Sequence, residues 1–436
     1  MAAKPLHASG LAETADAIAS GRITATALAD ALLARIAATD ATIEAWAHLH
    51  PGQVHAAAGR CDAAPLAGRG ALHGIGVGVK DIIATARMPT EMGTVVYAGH
   101  RPKQDAECVA RLERAGGYVF GKTVTTELAY FQPGKTKNPW NAKHTPGGSS
   151  SGSAAAVAAG HVSGAIGTQT NGSVIRPAAF CGVVGFKPTG GAIPAAGVHV
   201  FSETLDQVGT FARSVADVAR LTSAIADPGR IAATVAPADG APRLAWLGDF
   251  PWTHVDADTR DALAAASARL RESGADIVAV TIPEIWRDAD VIHRTIMMYE
   301  AATHLSGVQD RERARLSTRL NAAIDEGRAT PRGDYATAMA RRDAAIRAFA
   351  EWLAGFDAIV TPSAPSAAPA GLESTGDPAC CTLWSLLGFP ALSLPIGLAG
   401  NGLPLGMQIA TSASADDRLL SIARWCEMQL PFKGLV

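Results

Sequence analysis

Two glycine-rich turns that carry serines stand on either side of an alanine-rich stretch: Thr145-Pro-Gly-Gly-Ser-Ser-Ser-Gly-Ser153 before it and Thr168-Gln-Thr-Asn-Gly-Ser173 after it. Glycine lets a backbone come close to a bound molecule, so hydroxyls and N–H groups from both turns can converge on one carbonyl. Cleaving an amide requires a nucleophile, a base, an acid for the leaving amine and donors for the developing oxyanion. The N–H groups of Thr170, Asn171, Gly172 and Ser173 follow one another around a glycine, a nest that can hold an oxyanion while the Ser173 hydroxyl attacks. That hydroxyl needs a base, and neither turn contains a histidine; His144 and His161 only flank the first. Lys80, in Gly74-Ile-Gly-Val-Gly-Val-Lys-Asp81, is the substitute. Free lysine titrates near about 10.4, so this role demands burial with no close carboxylate.

These groups need elements to hold them. Ile75, Val77 and Val79 alternate with Gly76, Gly78 and Lys80, the period of a strand. Lys80 then shares a face with two residues that lack side chains, which leaves room for its stem and lets another backbone pack close; Asp81 points the other way. Helices are expected within 11–50, where Leu28, Leu32, Leu33 and Ile36 keep helical spacing behind the caps Thr24 and Thr26. Cys108, Val109 and Leu112 predict a short helix, Tyr118–Phe120 a strand, and 154–159 a helix of small residues. Farther on, Leu244–Leu247, a helical stretch over 258–273 and Ile277–Val280 spell strand, helix, strand, hence parallel pairing. The span 285–355 reads as mainly helical and Asp357–Val360 as a strand. The Pro, Ala and Ser-rich stretch 361–380 reads as a surface loop, with a pocket wall as the alternative. Pro228–Pro242 has a linker's composition, but the strands around it can join one sheet. The fold class is α/β in a single domain.

Composition narrows the function. The chain has 436 residues, 48% hydrophobic and 18% charged, enough for a large core. Its formal charge is −2, with scattered Lys and Arg, so no nucleic-acid footprint is present and a small neutral ligand is expected. The six cysteines show no CxxC pair, which fits reduced thiols. There is no apolar leader and no run of about 18 apolar residues, so the expectation is a soluble, cytoplasmic protein without a membrane role. No ligand spacing for a metal is seen.

With Lys80, the two serine turns resemble the amidase signature family. So do Leu72-His-Gly-Ile-Gly-Val-Gly-Val-Lys-Asp81, Gly121-Lys-Thr-Val-Thr-Thr-Glu127, Cys181-Gly-Val-Val-Gly-Phe-Lys-Pro188, Gly388-Phe-Pro390 and Gly402-Leu-Pro-Leu-Gly-Met-Gln408. The resemblance runs over nearly the whole chain. It implies one large domain over 1–436 with a mixed central sheet covered by helices on both faces, a catalytic core at 60–215 and a more variable, mainly helical substrate side at 225–355. It implies hydrolysis of a small amide through a Ser acyl-enzyme with a Ser, cis-Ser, Lys triad and no cofactor. In that family the first Ser after the Gly-Gly pair follows a cis peptide and relays the proton between Lys and nucleophile; here it is Ser149, at the family's separation from Ser173. Ser150 becomes a supporting residue, while Ser151 and Ser153 read as helix-start residues. Tyr130 and Phe131 follow a segment that often lines the acyl pocket; Met297, Met298 and Tyr299 read as helix core. The family's Asp is Gln169 here, its first glycine is Asn171, and its Arg has moved one place to Arg176. Those changes put the family's inner Asp-to-Arg support in question. The expected partner is a small-molecule amide, aryl amide or carbamate, and a homodimer is allowed.

Three rivals remain. Gly116-Gly-Tyr-Val-Phe-Gly-Lys-Thr123 matches a phosphate-loop pattern, but a strand falls inside its supposed loop. Gly148-Ser-Ser-Ser-Gly152 matches the GxSxG elbow, which would make Ser150 the nucleophile of an α/β-hydrolase-type esterase, but no strand leads into it. The third is an amidase-type subunit of an amidotransferase complex, delivering ammonia to a partner.

Overall fold

The computed structural model describes residues 4–65 and 69–436. Among these, one sheet is formed by β1 (Trp46–His48), β2 (Gly76–Lys80), β3 (Tyr118–Thr123), β4 (Gly164–Gln169), β5 (Val184–Lys187), β6 (Gln207–Ala212), β7 (Arg243–Trp246), β8 (Asp276–Ala279), β9 (Ala358–Pro362), β10 (Ala391–Leu398) and β11 (Pro404–Ala410). Their spatial order is β1-β3-β2-β4-β6-β5-β10-β11-β9-β7-β8. β3, β2 and β4 run parallel, as do β8, β7 and β9, and the strands between β4 and β9 pair antiparallel. The sheet is mixed, and every position of β2, β4, β6 and β11 is buried, so helices must cover both of its faces.

Periodicity located most of these elements. Helix Ala25–Ile43 starts at Thr24, whose side chain accepts the Ala27 N–H, and buries Leu28, Leu32 and Ile36. Leu33 lies only half-buried, and Thr26 is no cap: it sits in the first turn and donates to Asp62 at 2.6 Å. The strand–helix–strand unit at 243–279 is parallel as expected, and β7 pairs with β9, which pairs with β11. The linker-like segment therefore divides nothing. Helices Ala289–Glu312, Thr318–Ala329 and Arg332–Trp352 build a second core around Trp286, Phe349, Trp384 and Phe389. The six cysteines form no disulfide, and no helix among the described residues is long and apolar enough to cross a membrane.

The glycine face of β2 is not empty. A Cβ at Gly76 would meet Phe120 at 2.4 Å, and one at Gly78 would meet the Thr123 methyl at 3.0 Å. The expected room is filled by side chains of the neighbouring strand, with Trp46 alongside, instead of by space or another backbone. The glycines are needed because those side chains close over Lys80 and seal it from water.

Candidate active site

Lys80 ends β2, and Thr168 and Gln169 end the adjacent parallel strand β4, so the loops that follow leave from the carboxyl end of the sheet, where open α/β sheets hold ligands. Lys80 is fully buried. Its Nζ donates to Ser149 Oγ at 2.6 Å and to Thr168 Oγ1 at 2.7 Å. It forms no ion pair with a carboxylate among the described residues, and burial brings its pKa down to about 7, against a weaker upward pull from Asp206. Asp81 points away, as alternation requires, and pairs with Lys122 at 3.2 Å.

Ser149 follows a cis peptide from Gly148. Ser150 turns the other way: its hydroxyl donates to Thr168 O at 3.1 Å and accepts the Thr168 N–H at 3.2 Å, stapling the first serine turn to β4. Gly167 permits this approach, since a Cβ there would lie 2.7 Å from Ser150 Oγ. Ser151 opens helix Ser151–Ala158 and donates to Gly147 O at 2.8 Å. Ser153 differs from expectation: it is buried between Thr123 Oγ1 at 2.7 Å and Ile166 O at 3.0 Å, a packing contact between helix and sheet.

The second turn is held from several sides. Gln169 Oε1 accepts the N–H groups of Val174 at 2.7 Å and Ile175 at 3.0 Å, and its Nε2 donates to Ser385 Oγ at 3.0 Å. Thr170 donates its hydroxyl to Asp206 at 2.5 Å, and its carbonyl faces His293 Nε2 at 3.0 Å. Ser385 donates to Asn171 O, and Thr382 to Asn171 Oδ1 at 3.0 Å. The N–H groups of Asn171, Gly172 and Ser173 find no acceptor among the described residues, so they are free to bind an oxyanion. No Asp-to-Arg contact supports this loop. Gln169 takes the backbone amides instead, which a neutral carboxamide can do as well as a carboxylate. Arg176 turns outward from it and donates to Gly148 O at 2.7 Å, Gly376 O at 2.5 Å and Thr375 Oγ1 at 3.2 Å.

Ser149, Thr170, Asn171, Gly172, Ser173 and Arg176 line one cleft. Tyr130 and Phe131 line it too, with Phe201 stacked on Tyr130 at 5.2 Å between centroids. Met297, read from sequence as core, also reaches the cleft, whereas Met298 is fully buried. Thr375 and Pro378 place the 361–380 stretch at the wall, so the surface-loop reading is corrected: its prolines bring the chain over the cleft and back into the second core.

The rival motifs come apart. Lys122 is fully buried on β3, donating to Ile83 O at 2.9 Å and Thr90 Oγ1 at 2.6 Å, so no phosphate reaches it. Ser150 spends its hydroxyl on β4. His161 is held by Thr39 at 2.7 Å and Trp46 at 3.3 Å, away from both serine turns, and burial brings its pKa down to about 3. Sequence reasoning overlooked Thr168, Asp206, His293 and Ser385. Thr168 stood inside a motif already singled out; the others carried no local signal.

The Amidase family model matches residues 27–420. The chain belongs to the amidase signature family, with its single-domain α/β fold. Among its relatives, the amidase-type chain of the glutamyl-tRNA(Gln) amidotransferase of Anaeromyxobacter dehalogenans (strain 2CP-C) is 36% identical, covering 98% of this chain and 97% of that one. Similar solved structures include an amidase, 29% identical with a TM-score of 0.88 over 97% of this chain and 100% of that one. The native peptide amidase from Stenotrophomonas maltophilia is 30% identical with a TM-score of 0.81, over 98% of each chain.

Proposed function

We propose that the chain cleaves the C–N bond of a small amide through an acyl-enzyme on Ser173. The observation that carries this reading is the 2.6 Å contact between a buried Lys80 Nζ with no bonded carboxylate and Ser149 Oγ, at the cleft that Ser173 lines. Neutral Lys80 takes the Ser149 proton as Ser149 takes that of Ser173, and the Ser173 oxygen bonds to the amide carbon. The N–H groups of Thr170 to Ser173 hold the negative oxygen. When the C–N bond breaks, the proton returns from Lys80 through Ser149 to the leaving nitrogen. Water then attacks the ester, its proton following the same relay, and the acid leaves. Ser150 and Gln169 hold the two turns; Tyr130 and Phe131 contact the acyl group. None of these steps calls on a cofactor or metal.

A second reading is favoured by the sequence relatives over a free-standing hydrolase: the chain is the amidase-type component of an amidotransferase complex, using the same chemistry to release ammonia for a partner. Turnover of primary amides, anilides and carbamates by the purified chain alone, lost in Ser173→Ala, supports the hydrolase. Amide cleavage only in the presence of a co-purifying protein supports the amidotransferase component, and its absence in both settings removes the reading.

A further inference from the structure

The cleft contains one charge that nothing in the fold neutralises. Arg176 is 2% exposed and lines the cleft beside Ser149 and Ser173, yet it forms no ion pair with any described residue. Its three partners are two carbonyls and a hydroxyl, and its Nε is buried with no acceptor. The acid whose charge it feels, Asp377, is exposed and occupied by the Ala379 N–H at 2.9 Å and by Thr253 at 3.2 Å. Every other residue lining this cleft is neutral. Buried charges are ordinarily paired, because removing an ion from water costs several kcal/mol that only an opposite charge or a full set of acceptors offsets. A guanidinium with an unused Nε–H offers the bidentate edge that carboxylates match.

The position fits a substrate group. The Arg176 backbone N–H donates to Gly172 O at 3.0 Å, so Ser173 and Arg176 stand one helical turn apart on one face, with about 5–6 Å between their Cβ atoms. The guanidinium is also tied to Gly148 O, the carbonyl of the peptide that leads into Ser149. An anion on Arg176 therefore lies within a few carbons of the carbonyl that Ser173 attacks. Phe131, whose ring centre is 5.8 Å from the guanidinium carbon, walls the anion from solvent.

We propose that Arg176 is the carboxylate anchor of the substrate site, and that the amides turned over here are short half-amides, with a free carboxylate a few carbons from the scissile C–N bond. This rests on the amide-cleavage reading above and narrows its substrate class.

The test compares succinamate with succinamide, which differ only in one carboxylate against one carboxamide. A charged hydrogen-bonded contact predicts kcat/KM at least about tenfold higher for succinamate. In Arg176→Gln that ratio falls to near one, whatever the loss of the Gly148 tether does to both substrates alike, while Arg176→Lys keeps part of it. Equal turnover of the two by the wild-type chain, or a preference unchanged in Arg176→Gln, overturns the anchor and leaves amide cleavage standing. Succinate binding by calorimetry gives an independent readout. Binding that Arg176→Gln weakens at least about tenfold supports the anchor even if neither amide is cleaved, an outcome that defeats the amide reading alone. No succinate binding to the wild-type chain overturns the anchor.

Discussion

Lys80→Met should abolish turnover and, near neutral pH, leave the protein as stable as before or more so. With a pKa of about 7, Lys80 is about one-tenth neutral at pH 6 and about nine-tenths neutral at pH 8. If the neutral amine is the base, kcat/KM should climb about tenfold across that interval and then level off. A lysine at the ordinary value of 10.5 would be neutral in only about one molecule in three hundred at pH 8, so burial multiplies the active fraction by a factor of a few hundred. The same shift costs stability. Between about pH 7 and 10.5 the unfolded chain holds a proton that the folded chain has released, so stability rises with pH through that window. At pH 7 the cost is on the order of 4 kcal/mol, which Lys80→Met removes, offset by the donor lost to Ser149 and Thr168. Asp206→Asn deletes the charge that pulls upward on Lys80, and the acid limb should move to lower pH. The assay is a pH–rate series on wild type and both variants with thermal melts alongside. A flat wild-type profile from pH 6 to 9, or Lys80→Met with near-wild-type turnover, would refute the reasoning.

Ser173→Ala should lose all measurable turnover with a melting temperature close to wild type, since only one hydroxyl is removed; full activity would return the nucleophile's role to Ser150. Gln169→Ala strips the acceptor from the Val174 and Ile175 N–H groups, each buried and each worth about 1–3 kcal/mol when orphaned, so unfolding by denaturant should show a loss of a few kcal/mol. An unchanged midpoint would mean that water replaces the side chain. Lys122→Ala leaves Asp81 buried without its cation, a change that typically costs about 3–5 kcal/mol. The wild-type chain should bind no ATP by calorimetry, and micromolar affinity would restore the phosphate-loop reading.

The sequence alone determined the parts of this protein that depend on local pattern. Alternation along Ile75–Lys80 placed Lys80 and Asp81 on opposite faces of a strand, and the two serine turns with the ordered motifs around them carried the family. Glycine spacing and strand period act over a few residues, so they are readable in one dimension. What surrounds the candidate chemistry was decided in three dimensions. Lys80 meets Ser149 across 69 residues and Thr168 across 88, and Arg176 meets Thr375 across 199. Gln169 stands in for a carboxylate because the chain folds back to offer two N–H groups and Ser385. The stretch 361–380 became a wall for the same reason, and the glycine face that looked open in sequence was filled by Phe120 and Thr123 from the next strand. A residue's charge state follows from how much water and which charges surround it. Those neighbours come from distant segments, so the lowered pKa of Lys80 and the uncompensated charge of Arg176 exist only in the folded chain.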